Sequence, residues 1–238
     1  MPRAARLVIP DCPHHVVQRG NNKQDVFFSD DDRRYYLRSL KQCAREYGLN
    51  VVAYALMCNH VHLVVVPKSV ESLAKGIGRT NFFYTRHVNA LQGRCGHLWQ
   101  DRFFSSPLDE SYFWNAMVYV ERNPVRAGIV SAAWDYPWSS AAAHCNNHDL
   151  TGLLDMQTWR SVQPPEGSWH ESLAEGLDEQ TELKVRSFSS RGLPLGSDSF
   201  VSKLESDLER RLRPAEMGRP RKQKVGTLTT FQGPASQA

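Results

Sequence analysis

Three places in this chain combine residue types and spacings suited to chemistry: His60-Val61-His62, Tyr119 and Asn123. In a strand, residues i and i+2 project from one face, so the two imidazoles would point together and could share a metal ion. Val61, Leu63 and Val65 would then point the other way, into a core. Tyr119 and Asn123 stand four apart and share a helix face. Were that face turned toward His60 and His62, the Asn123 amide oxygen would be a third ligand and Tyr119 would hold a phenol nearby. Each residue also has a plainer reading. Strand histidines are often structural, Tyr119 would serve equally as a half-buried core aromatic, and Asn before Pro124 is a common turn signal. Placement favours the chemical reading, because His60 and His62 open an otherwise apolar strand and unpaired buried polar groups are costly.

Such a site needs a sheet and a helix to assemble it, and the chain spells both. His14 to Gly20 reads as a first strand, closed by Asn21-Asn22. Ser29 or Asp30 can cap a helix carrying Tyr36, Leu37, Leu40, Cys43 and Ala44 at helical spacing, and Gly48 suits a left-handed cap. Residues 49–56 and 60–66 read as a hairpin through Met57-Cys58-Asn59. A helix follows over 69–91, then a strand over Leu98 to Phe104. A further helix runs from near Asp109 to Asn123, where Pro124 breaks it. The order β-α-β-β-α-β-α predicts an α+β fold with a ferredoxin-like split βαβ antiparallel sheet and helices on one face. Trp134, Tyr136, Pro137 and Trp138 should lay aromatic cover against that sheet. The predicted boundaries are a domain over 1–145, a partly helical C-terminal extension over 146–212, and a basic tail of disordered composition over 213–238. Periodicity is weak from 146 to 191, and Ser197 can cap a last helix bearing Val201, Leu204 and Leu208.

The totals set outer limits. At 238 residues with 41% hydrophobic content, the chain can bury a full core. No apolar run approaches the roughly 20 residues of a membrane span, and the basic N-terminus leads into too short an apolar stretch for a signal peptide. These features predict a cytoplasmic, nucleoid-associated protein with no membrane partner. Five cysteines without a CxxC pair argue against disulfides and a cysteine zinc site and predict buried free thiols. A net charge of +4 permits a nucleic-acid partner without establishing one.

Cys58-Asn59-His60-Val61-His62, followed by Leu98-Trp99-Gln100-Asp101-Arg102-Phe103 and then Tyr119 to Gly128, resembles the single-tyrosine HUH transposases, most of all the REP-associated tyrosine transposases. The resemblance spans roughly residues 7 to 143. It implies the HUH nuclease fold, a divalent metal (Mg²⁺ or Mn²⁺) held by His60 and His62, and Tyr119 as nucleophile. It places Asn123 at the helix position of the family's third ligand, which is often Gln. It further implies attack on single-stranded or hairpin DNA, such as REP-like palindromes, leaving a 5′-phosphotyrosine and a free 3′-OH that can rejoin strands without ATP. A phenol with an ordinary pKa near 10 must lose its proton for that attack. Tyr112, two turns before Tyr119, is a rival nucleophile.

Other residues suit DNA. Arg19, Asn21 and Lys23 form a polar turn, Arg79 and Arg86 lie on the second long helix, and Arg102 follows the Trp99 that could stack on bases. Arg219, Arg221 and Lys222 lie in Gly218-Arg219-Pro220-Arg221-Lys222, which is similar to an AT-hook for the minor groove. The alternative is a non-cleaving, hairpin-binding regulator derived from a transposase. An RRM-like RNA binder lacks the aromatic pattern it needs on the central strand. Monomer and homodimer are both compatible with these features.

Overall fold

A computed structural model describes residues 6–162 and 168–213. The basic tail, with Arg219, Arg221 and Lys222, lies outside the described residues. The sheet has four antiparallel strands, β1 (His14–Arg19), β2 (Leu49–Met57), β3 (His60–Pro67) and β4 (Phe104–Pro107), in the order β2-β3-β1-β4. That order, with helices α1 (Asp30–Glu46) and α2 (Ser72–Leu91) in the crossovers, is the split βαβ topology the sequence predicts. Ser29 closes a capping box with Asp32 at the start of α1, and Gly48 turns into β2 at φ 62°, a conformation that costs a residue with a Cβ.

Helices cover both faces of the sheet, not one. On the first face α1 and α2 bury Val16, Val61, Leu63 and Val65 with Tyr36, Leu40, Leu73 and Ile77. On the second, α3 (Glu110–Glu121) packs Ala116, Met117 and Val120 against Ala53, Ala55, Val64 and Val66. The continuous apolar runs of β2 and β3 are the cause, since strands buried on both faces lose their polar alternation. A register shift between Val51 and Ala53 puts Val52 and Ala53 on the second face together, as a bulge does.

The last strand begins later than its sequence pattern suggests. Residues 98–100 touch the end of β1 only through single bonds, Asn21 N to Leu98 O (2.9 Å) and Gln100 N to Arg19 O (2.9 Å). Asp101 Oδ1 then accepts from the Arg102 backbone N–H (2.8 Å), a side chain competing with the ladder. Regular pairing resumes at Phe104. Beyond α3, Pro124 starts the short α4 (Asn123–Arg126), and Tyr136 to Ser140 runs along the edge of β2. There the Tyr136 hydroxyl donates to Leu56 O (2.7 Å) and Leu56 N to Trp138 O (2.8 Å). Of the cysteines, all free, only Cys43 is fully buried; Cys58 and Cys95 are exposed because both sit in turns.

The C-terminal extension is more helical than its periodicity suggests. It contributes α6 (Met156–Ser161), α7 (Trp169–Glu175), α8 (Glu179–Ser189) and α9 (Asp198–Asp207) after α5 (Ala141–Cys145). Trp169, Leu173, Val185 and Leu195 share the second core with α3, so the extension is fastened to the sheet domain. Glu121, fully buried, is the polar rivet: it accepts from the Trp169 indole N–H (2.8 Å) and the Ser140 hydroxyl, and lies 2.6 Å from His144 Nδ1. Removing one member of a buried charged network costs about 3–5 kcal/mol. Glu121→Ala should lose that much in denaturant unfolding, whereas a loss below about 1 kcal/mol would show that packing alone joins the extension.

Candidate active site

Pairing across the sheet sets the site. Met57, His60 and Arg19 oppose one another in one row; Ala55, His62, Val17 and Phe104 form the next. Directly opposed residues share a face, so His60 and His62 both point to the second face, toward α3. There Val17, Arg19, His60, His62, Tyr119, Asn123, Arg126 and, from α8 and just beyond it, Arg186, Ser189 and Ser190 line a cavity of about 360 Å³. The expected constellation therefore meets in one place. The His60 and His62 ring centroids are 4.9 Å apart, and the Tyr119 ring is 5.9 Å from His62. Tyr112 is not in this lining; it packs under Lys184, whose Nζ sits 4.7 Å from its ring centre.

Hydrogen bonds orient both histidines the same way. His60 Nδ1 bonds Asn59 Oδ1 (2.6 Å) and His62 Nδ1 bonds His15 Nε2 (2.9 Å). Neither Nε2 has a hydrogen-bond partner among the described residues. An amide oxygen can only accept, so His60 carries its proton on Nδ1 and its Nε2 lone pair is available. Burial, then Arg19 and Arg126, holds the His60 pKa down to about 4. Burial, His60, His15 and the same two arginines hold His62 well below the ordinary value. Both rings are thus neutral at pH 7, the form that binds metals. Asn123 donates Nδ2 to Tyr119 O (3.1 Å) and Val120 O (3.3 Å), and its Oδ1 accepts from Arg126 Nη2 (3.0 Å). Any metal would share that oxygen with a guanidinium. Among the described residues no three His, Cys, Asp or Glu side chains gather as a metal-holding group, so a third donor would have to be an amide, water or DNA.

Residues not singled out in the sequence complete the site. His15 is fully buried between His62 and α8, with Nδ1 2.6 Å from Ser189 Oγ. Its signal was present in the alternation, since His15, Val17 and Arg19 share one face of β1. Arg126 lies over the Tyr119 ring at 3.8 Å from its centre, a cation–π contact, and sits three residues past Asn123 on the next turn. Ser189 and Arg186 had no legible signal, because α8 carries little periodicity.

The expected DNA contacts divide. Arg19 lines the histidine–tyrosine cavity, while Asn21, Trp99 and Arg102 line a different one. Trp99 also packs edge-on to Tyr36 and tilted against Tyr84 (6.3 and 5.9 Å), which makes it largely a core residue. Lys23 is exposed at φ 61°. Arg79 and Arg86 stand beside exposed Phe82 (6.0 and 5.8 Å) on α2, away from the histidine face. No helix among the described residues is long and apolar enough to cross a membrane.

Residues 8–123 match the family model described as "Transposase IS200 like". A Haemophilus influenzae protein named as a REP-associated tyrosine transposase is 28% identical over an alignment of 111 residues that covers 42% of this chain. The match spans 63% of that curated relative's length. A solved structure described as a REP-associated tyrosine transposase bound to a REP hairpin aligns at TM-score 0.53 and 15% identity, covering 71% of this chain and 97% of that one. At that identity the likeness is one of fold. The family resemblance and the split βαβ antiparallel sheet read from the sequence both hold, with helices on two faces of that sheet rather than one.

Burial gives the sheet a pH dependence. His14, fully buried, contacts Ile9 N and O (3.1 and 3.2 Å) and Ser105 Oγ (3.2 Å), and burial lowers its pKa to about 4. The unfolded chain, with an ordinary pKa near 6.5, binds a proton that the folded chain refuses. Stability is therefore complete above about pH 6.5 and falls as pH drops toward 4. Between pH 7 and pH 5 His14 alone should account for about 2 kcal/mol. Urea unfolding at both pH values should show a smaller drop in His14→Gln; an equal drop would remove His14 from the account.

Proposed function

We propose that this chain, whose residues 8–123 match the IS200-like transposase family model, cuts and rejoins single-stranded DNA at hairpin or palindromic elements through a covalent Tyr119–phosphate bond. The observation that carries this reading is the convergence, in one cavity, of the Tyr119 phenol, two neutral imidazoles and three arginines, Arg19, Arg126 and Arg186. A binding protein has no need of a phenol beside paired imidazoles. The arginines supply a positive wall for phosphodiester oxygens. Tyr119 has no hydrogen bond on its hydroxyl among the described residues, so the oxygen is free to approach phosphorus. Its attack forms the O–P bond and breaks the bond from phosphorus to the 3′ oxygen; the phenol proton passes to solvent in the open cavity, and the departing 3′ oxygen takes a proton from solvent to leave as a hydroxyl. The reverse attack by a 3′-OH restores the phosphodiester.

Two neutral imidazoles fit a divalent ion, Mg²⁺ or Mn²⁺, which the Nε2 atoms of His60 and His62 would hold, with Asn123 Oδ1, shared with Arg126, as the third protein donor. When bound, the ion polarises the scissile phosphate as a Lewis acid. This chain prepares for it through Ser189 and His15. If Nδ1 of His15 donates to Ser189, Nε2 accepts from His62 Nδ1, and the His62 lone pair is fixed on Nε2. Partners that fix a ligand's tautomer typically govern affinity 10–100-fold. His15→Ala should therefore weaken Mn²⁺ binding by roughly that factor in a titration of the DNA-free protein; unchanged affinity would show that His62 needs no such partner.

The decisive test uses labelled hairpin DNA with Mn²⁺ or Mg²⁺ and a denaturing gel. The wild type should form a covalent adduct that Tyr119→Phe and a metal-free sample do not. An adduct with Tyr119→Phe would remove Tyr119 as nucleophile. Tight binding without any adduct would establish the regulatory, non-cleaving alternative instead.

A further inference from the structure

The sequence places Arg126 beside both Tyr119 and Asn123. Pro124 lacks an N–H and starts the single turn of α4. Three residues beyond Asn123 and seven beyond Tyr119, Arg126 falls on the helical face that both occupy. Its guanidinium then meets four groups at once. Nη2 donates to Asn123 Oδ1 (3.0 Å) and Nη1 to Tyr119 O (3.5 Å). The central carbon lies 3.8 Å from the Tyr119 ring centre, and Nε stands 4.0 Å from Glu182 Oε2 on α8.

The bond to Asn123 has a chemical consequence. The Asn123 amide nitrogen donates to two main-chain carbonyls, Tyr119 O and Val120 O (3.1 and 3.3 Å), so the oxygen is the only atom of that side chain able to face a cation. That oxygen already accepts from a guanidinium. A divalent ion on the same atom would be a close neighbour of a unit positive charge. In a partly enclosed site such repulsion is screened less than in water. The same charge reaches the imidazoles: after burial, Arg126 is among the charges that hold down the proton affinity of His15, His60 and His62. A field that opposes a proton at those rings opposes a dication there as well.

Glu182 works in the opposite sense. Among the described residues it is the acid paired with Arg126. It offsets part of the guanidinium charge and draws the group toward α8, away from the Asn123 oxygen. Glu182 belongs to the C-terminal extension, outside the residues 8–123 that match the family model. A chain of three side chains, Glu182, Arg126 and Asn123, therefore runs from the extension to the donor nearest the histidines.

We propose that Arg126 is a positioning residue that competes with the divalent ion for the Asn123 oxygen, and that Glu182, by holding Arg126, lets the C-terminal extension set how tightly the site takes metal. The proposal rests on the metal-dependent reading above and adds to it a control on affinity. His60 and His62 supply the firm part of the binding. The contribution of Asn123 is graded by which way Arg126 is drawn.

The test is Mn²⁺ binding to the DNA-free full chain, read as the loss of the free ion's electron paramagnetic resonance signal. Arg126→Gln, which keeps length and loses charge, should bind Mn²⁺ about tenfold more tightly, within the range common for coupled sites. Arg126→Lys, which keeps the charge, should stay close to the wild type. Glu182→Gln should weaken binding by about threefold, the effect of a partly exposed ion pair, and should change nothing in the Arg126→Gln background. A misfolded chain cannot gain affinity, so the ranking also reports on folding. Were Arg126 only a support for Asn123, Arg126→Gln would bind Mn²⁺ equally or more weakly, and that result would overturn the competition. A Glu182→Gln loss that persists undiminished without Arg126 would overturn the relay, because Glu182 would then act on the ion directly. Absence of Mn²⁺ binding in both the wild type and Arg126→Gln would overturn the proposal, and the adduct assay then decides whether the DNA-cutting reading falls with it. The expected ranking without any adduct would leave the proposal standing and remove DNA cutting alone.

Discussion

The buried hydrogen bond between His15 on β1 and His62 on β3 governs much of what surrounds it. It requires that two central strands present polar groups to a face otherwise filled by alanine, valine and the apolar side of α3. Unpaired imidazoles there would each cost the desolvation of a polar group. The fold satisfies them in sequence: Ser189 meets His15, His15 meets His62, and the outer edge of His62 opens on the cavity. The low proton affinity of these rings follows from the same burial. Charge at this place is supplied by arginines instead: Arg126, held on Asn123 and the Tyr119 ring, and Arg19, which stands opposite His60 at the end of β1.

A second dependence follows from the first. Because the face carrying the histidines is only partly covered by α3, something else must close it, and α7 and α8 do so. Glu121 holds α7 through Trp169, and Val185 and Leu195 bring α8 and the turn after it over β1 and β4. The end of that helix then lines the histidine cavity through Ser189. Structural closure and site completion are thus one event in this chain.

Much of this was legible in the sequence, and the reasons differ from element to element. The strand with His60 and His62 could be read because a period of two put both histidines on one face. Tyr119 and Asn123 could be read because a period of 3.6 put both on another. The strand order followed from the split βαβ pattern. The second helical layer was hidden because β2 and β3 are apolar on both faces, so alternation could not report which face was covered. The late start of β4 was hidden because its paired residues, Ser105 and Ser106, carry no strand signal, while the aromatic stretch before them has a strand's composition and a loop's hydrogen bonds. Ser189 was invisible for a different reason: its importance lies in a contact 174 residues away, which no local pattern encodes.

That separation has a consequence in time. Strand β1 emerges early in synthesis and Ser189 late; at roughly 5–20 residues per second the interval is on the order of 10–35 s. Throughout it the β1–β3 pair and α3 can fold, yet His15 still lacks its outer partner and the cavity its α8 wall. A nascent chain therefore carries Tyr119 long before it carries the finished enclosure around it. Placing the closing residue so far downstream acts as a timer, leaving the histidine cavity open on one side until Ser189 has been made.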